Sequence, residues 1–384
     1  MTTLPEQYCN NIPAGKTVFS LPKKTVLTQL YQDSFRSLYE SLVQNSTILG
    51  LWDSRSINDH KVTYEVEPFQ AGLQQYRGQN APLPSLRLVN ELRVCTINAG
   101  YWGEQIPFTE DDWQAYRYPM SDNCGLFSHK VDLSTLLARA TRLLAQRQVD
   151  RIRHIKYNTI VHGGYTVPMA NGGDTYNVNF NVQSVTVAIP WTDTANATPF
   201  INIRDTMINN QLNRVIPFNE RTKIVMNPRT ANLLLTNTNL NDKLTVLGQW
   251  CCTRPNVGEY NTALSAAGLP QIEIDTNRFF VTNDRCTPTM LNGEGGYING
   301  GTAQYYVPDG VVVWVADISG LPDTVATLYH TLGSTYNSLD LTNAVEVGTV
   351  ENLTGWSKSV SVFNHWQGVG IIRYPAALLH MRVF

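Results

Sequence analysis

Seven histidines (His60, His129, His154, His162, His330, His365 and His380) are the first residues to test for metal or acid–base chemistry. No two stand four apart and none sits in a His-Glu-x-x-His frame, the spacing that puts two ring nitrogens and a general base on one helix face. Six cysteines (Cys9, Cys95, Cys124, Cys251, Cys252 and Cys286) form no Cys-x-x-Cys. Neither a zinc site nor a disulfide framework fits that spacing, which suits synthesis in a reducing cytoplasm. Cys251-Cys252 has no neighbouring base to activate it and reads as a structural pair.

Phosphate and acyl chemistry fare no better. Gly15-Lys16-Thr17 ends like a P-loop, but Asn10 stands where the first glycine belongs and no strand can precede it. His162-Gly163-Gly164 has the form of an esterase oxyanion loop, yet no Gly-x-Ser-x-Gly elbow follows it, so it reads as a helix end. The glycine-rich stretch 292–301 has the wrong offsets for a dinucleotide loop, with Ile298 in place of the last glycine. Glu110, Asp111 and Asp112 suit a helix N-terminus, where the dipole favours carboxylates. The expectation is a chain with no catalytic residues, no cofactor and no metal.

One concentration of charge is left. Arg139, Arg142, Arg147, Arg151, Arg153 and Lys156 fall within a single segment, against Asp150 alone. A solvated helix face is the plain reading, and attraction to a polyanion is the functional one. The chain as a whole has 29 Lys+Arg, 31 Asp+Glu and a formal charge of -2, which excludes a generally basic nucleic-acid-coating protein. Charged residues make up 16% of the chain, against about 25% in ordinary soluble domains. Its longest strongly apolar run, 311–316, is far short of the about 20 residues of a membrane span. The first ten residues lack the charged and apolar regions of a signal peptide.

The elements that would position these residues follow from periodicity. Pro5, Pro13, Gly15 and Pro22 break the first two dozen residues into an extended arm. Leu27, Tyr31, Phe35, Leu38 and Leu42 make the stripe of a helix over 25–43. Val62, Tyr64 and Val66 alternate with polar residues, and so do Leu86, Leu88, Leu92 and Val94, which predicts a long hairpin with no nearby core. Asn98-Ala99-Gly100 closes its far end as a turn, and Thr109 to Asp112 opens a helix with a capping box. The longest helix is expected over 133–160, with Leu137, Leu144 and Ile152 on its apolar side. Strands follow over 176–189, 221–226, 271–281, 310–316 and 359–384. Thr198-Pro199 and Asn227-Pro228 each set an N-cap with proline at the first helical position. The sum is an α+β fold.

That order of parts resembles the HK97-like fold of tailed-bacteriophage major capsid proteins, within them the family typified by the lambda major head protein. The resemblance runs from about residue 60 onward. It is carried by the Arg-rich helix running into Val161-His162-Gly163-Gly164, the Asn-rich strands of 176–189, Trp191-Thr192-Asp193 and Ala197-Thr198-Pro199. Residues 223–228, Gly268-Leu269-Pro270-Gln271-Ile272 and Tyr306-Val307-Pro308-Asp309-Gly310 add to it. It implies an N-terminal arm (1–24), a helix and connector (25–59) and an E-loop hairpin (60–108). A peripheral domain on a spine helix (109–199), an axial domain (200–350) and completing strands (351–384) follow. It further implies an icosahedral shell of hexamers and pentamers around double-stranded DNA, assembled in the host cytoplasm, with portal, scaffolding and decoration proteins as partners and no membrane. On that reading the six basic residues of the spine helix face DNA. Val62, Tyr64, Val66, Leu86, Leu88, Leu92 and Val94 lie against a neighbouring subunit. An ordinary surface hairpin, another phage structural protein (tail tube or decoration) and a cytosolic hydrolase stay open as alternatives.

Overall fold

The computed structural model describes residues 24–43, 46–57, 61–66, 93–108, 133–167, 176–212, 216–237, 256–282, 288–290, 297–299, 301–319, 321, 323–331, 346–352 and 359–384. The expected arm, residues 86–92, the capping box at 109–112 and most of the glycine-rich stretch lie outside them.

The chain opens with α1 (Lys24–Val43), α2 (Thr47–Gly50) and β1 (Trp52–Ile57), then β2 (Lys61–Val66), β3 (Arg93–Asn98) and β4 (Gly100–Phe108). The 30-residue helix α3 (Leu133–His162) follows, two residues longer at its end than its periodicity predicts. Next come β5 (Gly164–Val167), β6 (Tyr176–Asn179), β7 (Gln183–Thr186), α4 (Pro199–Leu212), β8 (Lys223–Met226) and α5 (Pro228–Leu235). Then come α6 (Val257–Ala266), β9 (Gln271–Ile274), β10 (Arg278–Thr282), β11 (Pro288–Met290), β12 (Tyr297–Asn299) and β13 (Gly301–Tyr305). The last strands are β14 (Val311–Val315), β15 (Ala326–Thr331), β16 (Glu346–Asn352), β17 (Ser359–Ile372) and β18 (Leu378–Arg382). Mixed elements on two principal sheets make the fold α+β. No helix among the described residues is long and apolar enough to cross a membrane.

The first sheet is built on the 14-residue β17. β15 and β16 lie end to end along one side of it, antiparallel, with His330 opposite Gly368 and Glu346 opposite His365. β4 runs antiparallel along the other side, and β1 joins β15 in parallel. The second sheet has the order β7-β18-β14-β8-β9. Its centre is β14, where Val312, Val313, Trp314 and Val315 are all buried. A strand covered on both faces reads as an unbroken apolar run rather than an alternation, and this one does.

β15 belongs to the first sheet with β16, while β7 and the terminal β18 belong to the second. A short turn at Pro375–Ala377 carries the chain from one sheet to the other. Residues 271–281, expected as one strand, divide into β9 in the second sheet and β10 paired with β13. Asn98-Ala99-Gly100 is not the hairpin's closing turn. Ala99 is buried and links β3, paired to β2, with β4 in the first sheet.

Helix ends follow the sequence where caps are present. Asn227 Oδ1 accepts the Thr230 N–H at 2.7 Å, with Pro228 opening α5. Gly163 ends α3 at φ 65°, and a Cβ there would stand 2.9 Å from Val182 Cβ. Glycine alone takes that turn without strain. α6 was not anticipated from periodicity, although Asn256 and Glu259 close a capping box at its start.

Candidate assembly and polyanion-facing surfaces

α3 is the element that positions most of the candidate residues. Its buried side carries Leu137, Leu144 and Ile152, as expected, together with Val149, Ile155 and Ile160. That side packs on β17 and α1. Tyr31 and Phe35 of α1 are fully buried; the side chains of Leu27 and Leu42 lie outside the described set. A polar chain fixes the pairing: Asn364 Nδ2 of β17 donates to Tyr31 Oη at 3.0 Å, and Tyr31 in turn bonds Gln148 of α3. Burial pushes the Tyr31 phenol far above its ordinary pKa, so it remains a neutral donor.

The six basic residues of α3 separate into different environments. Arg139 and Arg142 are exposed, and among the described residues neither has a carboxylate partner. Leu143 lies beside them with 48% of its surface exposed. Arg147 grips the Glu104 carboxylate of β4 through both Nε and Nη2, the latter 2.7 Å from Oε1. An exposed pair of this kind contributes about 0–1 kcal/mol, so it orients Arg147 more than it stabilises the fold. The Arg151 guanidinium lies 4.8 Å above the Trp102 ring, which stacks on Trp366. Arg153 is half-buried, and its charge acts on the buried Tyr306 phenol.

Lys156 does not share the exposed face. Only 3% of it is exposed, its Nζ donates to Tyr39 Oη at 2.7 Å, and the charge stands 5.0 Å from the Tyr39 ring and 5.9 Å from the Trp52 ring. Its helical position turns it toward α1 and β1, and the two aromatic faces accommodate the ammonium. The polyanion-facing assignment is therefore corrected to exclude Lys156. Of the six, Arg139 and Arg142 are exposed and without a carboxylate partner among the described residues.

At its C-terminal end α3 places His154, Asn158 and His162 at successive turns, lining a cavity of about 390 Å³ with Arg229, Tyr305 and Asp309. Burial, then Arg151 and His162, lower the His154 pKa to about 4. Burial also lowers His162 and His380; His380 Nε2 donates to the Ile160 carbonyl at 2.7 Å, which fixes its tautomer. The unfolded chain binds protons at these positions from about pH 6.5. The folded chain resists until lower pH, so stability falls as pH drops from 6.5, and for His154 down to about 4. The urea midpoint is expected to fall over this window, and His154→Gln should flatten the slope. An unchanged slope would remove His154 from the acid response.

The hairpin candidates are likewise divided. Val62 is 1% exposed and Tyr64 8%, packed with Ile97 and Ala99 inside this chain. The Tyr64 ring stands 6.3 Å from Phe180, edge on. Both are corrected from inter-subunit positions to members of the chain's own core: the alternation marks a buried face, and the face finds its cover near β6. Val66 and Val94 take part in the β2–β3 ladder, opposite Arg93 and Glu65. Leu86, Leu88 and Leu92 lie outside the described residues.

A buried polar cluster ties α3 and the segment before α2 to the end of β9 in the second sheet. Tyr157 Oη donates to Asp275 Oδ2 at 2.5 Å, Ser46 Oγ donates to the same oxygen at 2.9 Å, and Asn277 donates to Oδ1 through its side chain and its backbone, both at 2.8 Å. Asp275 is 4% exposed.

No protein-family model matches the chain, and no curated protein matches it. Solved structures do. A phage-related protein of Bordetella bronchiseptica RB50 shares 10% identity over 94% of this chain and 96% of its own, with a TM-score of 0.46. The capsid of cyanophage P-SCSP1u shares 11% over 100% and 95%, with a TM-score of 0.44. A prophage protein of E. coli CFT073 described as a capsid protein shares 11% over 76% and 80%, also at 0.44. With identities and TM-scores this low, these likenesses leave the function to the chain's own residues.

Several residues that matter were not singled out from sequence. Glu104 and Trp102 lie on one face of β4 and hold Arg147 and Arg151; their alternation with Gly103 was the available signal. Asp275 gave none, because the strand expected over 271–281 ran straight through it. His162-Gly163-Gly164, the basis of the hydrolase alternative, is the end of α3 and the start of β5.

Proposed function

We propose that this chain is the major capsid protein of a tailed phage, which self-assembles into hexamers and pentamers of an icosahedral shell enclosing double-stranded DNA. The observation that carries the reading is α3: one 30-residue helix buried along one side against β17 and α1, with a polar stripe left on the other. That is the spine the sequence resemblance implies. The composition suits the role, since low charge with retained tryptophan, tyrosine and arginine is typical of surfaces that become interface. The protein then acts without catalysis, resides in the virion, and meets portal, scaffolding and decoration proteins. Negative-stain images of the purified chain, with and without phage scaffold, test the reading. Closed shells or capsomers are expected; tubes would favour a tail protein, and uniform small particles would reject assembly.

The exposed end of α3 supports contact with packaged DNA through Arg139 and Arg142. Phosphate contact is sequence-independent and weakens with salt. Changing Arg139 and Arg142 together to Gln should leave empty shells intact and lower the temperature at which filled shells release DNA, by a few degrees at low salt and by less at high salt. Equal release temperatures at both salts would reject the DNA-facing role.

A further inference from the structure

The second sheet treats its two edges differently. At β9 the edge is closed: the Asn261 side chain of α6 accepts the Ile272 N–H at 2.7 Å and donates to the Ile272 carbonyl at 2.8 Å, which occupies the backbone groups a further strand would use. At β7, the opposite edge, no described strand pairs on the outer side. Gln183, Ser184 and Thr186 are exposed there. The Val187 N–H donates inward to the Arg382 carbonyl at 3.0 Å. Backbone groups alternate along a strand, so Val185 also faces β18, and the N–H and C=O of Ser184 and Thr186 face outward.

Proteins blunt free edges with charge, proline, bulges or a covering element. Residues 183–189 contain no charged residue and no proline, and their β-branched Val185, Val187 and Ile189 favour extended pairing. Ile189 adds a 41% exposed apolar side chain at the end of the same segment. The geometry points to a docking edge: β7 takes a backbone strand from a second copy of this chain, extending the sheet across the contact. Main-chain pairing carries little side-chain code, so the occupant is set by which chain is held nearest, and in a shell that is another copy. An uncharged edge also meets an identical protein without repulsion. This inference rests on the capsid reading above.

Ser184→Pro tests it. Proline removes one outward N–H and leaves the β18 ladder whole, a substitution edge strands tolerate. The variant is expected to keep the parent's melting temperature and to lose at least tenfold in shell yield by light scattering. Hydrogen exchange of the parent gives a readout independent of the variant: the Ser184 and Thr186 amides should become protected on assembly. Normal shells from a folded variant, or exchange at both amides unchanged on assembly, would overturn the docking edge and leave the capsid reading standing. A parent that forms no assemblies would overturn both.

Discussion

Excising residues 70–84 should leave a folded subunit that builds no shells. β2 and β3 stay outside the cut, and Val62, Tyr64 and Ile97 remain buried in the chain's own core. The subunit should therefore keep its circular dichroism and melt within a few degrees of the parent. What the cut removes is a Gln-, Gly- and Pro-rich span that leads into the alternating Leu86 and Leu88, a pattern with an apolar face to bury. A specific contact buries about 800 Å² per partner, and an inter-subunit role for this span would make it part of that area. Losing it at every subunit of a closed shell multiplies the deficit, so the expected result is absence of particles in negative stain. Normal particles from the excised chain would refute the inter-subunit role. An unfolded product would show that residues 70–84 belong to the subunit's own core.

The sequence was most legible where one short-range rule decides the outcome. α3 shows its stripe through Leu137, Leu144 and Ile152, and Asn227-Pro228 announces α5 through a single cap. The parallel pairing of β1 with β15 was not legible, because Trp52 meets Ala326 across most of the chain. β15 itself was hidden by Thr327 and His330, polar residues that are fully buried and interrupt the apolar pattern. The candidate site shows the same limit. Periodicity identified a basic helix, yet could not say that Tyr39, 117 residues away, takes Lys156 out of the set, or that Glu104 occupies Arg147. The alternation of Val62 and Tyr64 marked an apolar face correctly; what covers that face depends on Phe180, which no local pattern connects to it.

Asp275 is where the loss of one side chain should cost the fold most. Its carboxylate receives Tyr157 from α3, Ser46 from the segment before α2, and Asn277 twice, while its own N–H donates to the Met226 carbonyl at the end of β8. Burial raises the Tyr157 phenol well above its ordinary pKa, and the neighbouring Asp275 charge raises it further, so the phenol stays protonated and donates. Asp275→Ala would strand donors from three segments in a site that water does not reach. The expected loss is about 3 kcal/mol in urea unfolding, the scale for buried donors left without an acceptor. Tyr157→Phe removes one donor and leaves the carboxylate with Ser46 and Asn277, so it should cost about 1 kcal/mol. The contrast between the two variants is the test, because Tyr157→Phe takes away one donor while Asp275→Ala takes away the acceptor that Tyr157, Ser46 and Asn277 share. Since the cluster joins α3 to the end of β9 in the second sheet, Asp275→Ala should also broaden the unfolding transition, with fluorescence and circular dichroism midpoints separating. Coincident midpoints and equal losses in the two variants would show that α3 and the second sheet are held together by the apolar core alone.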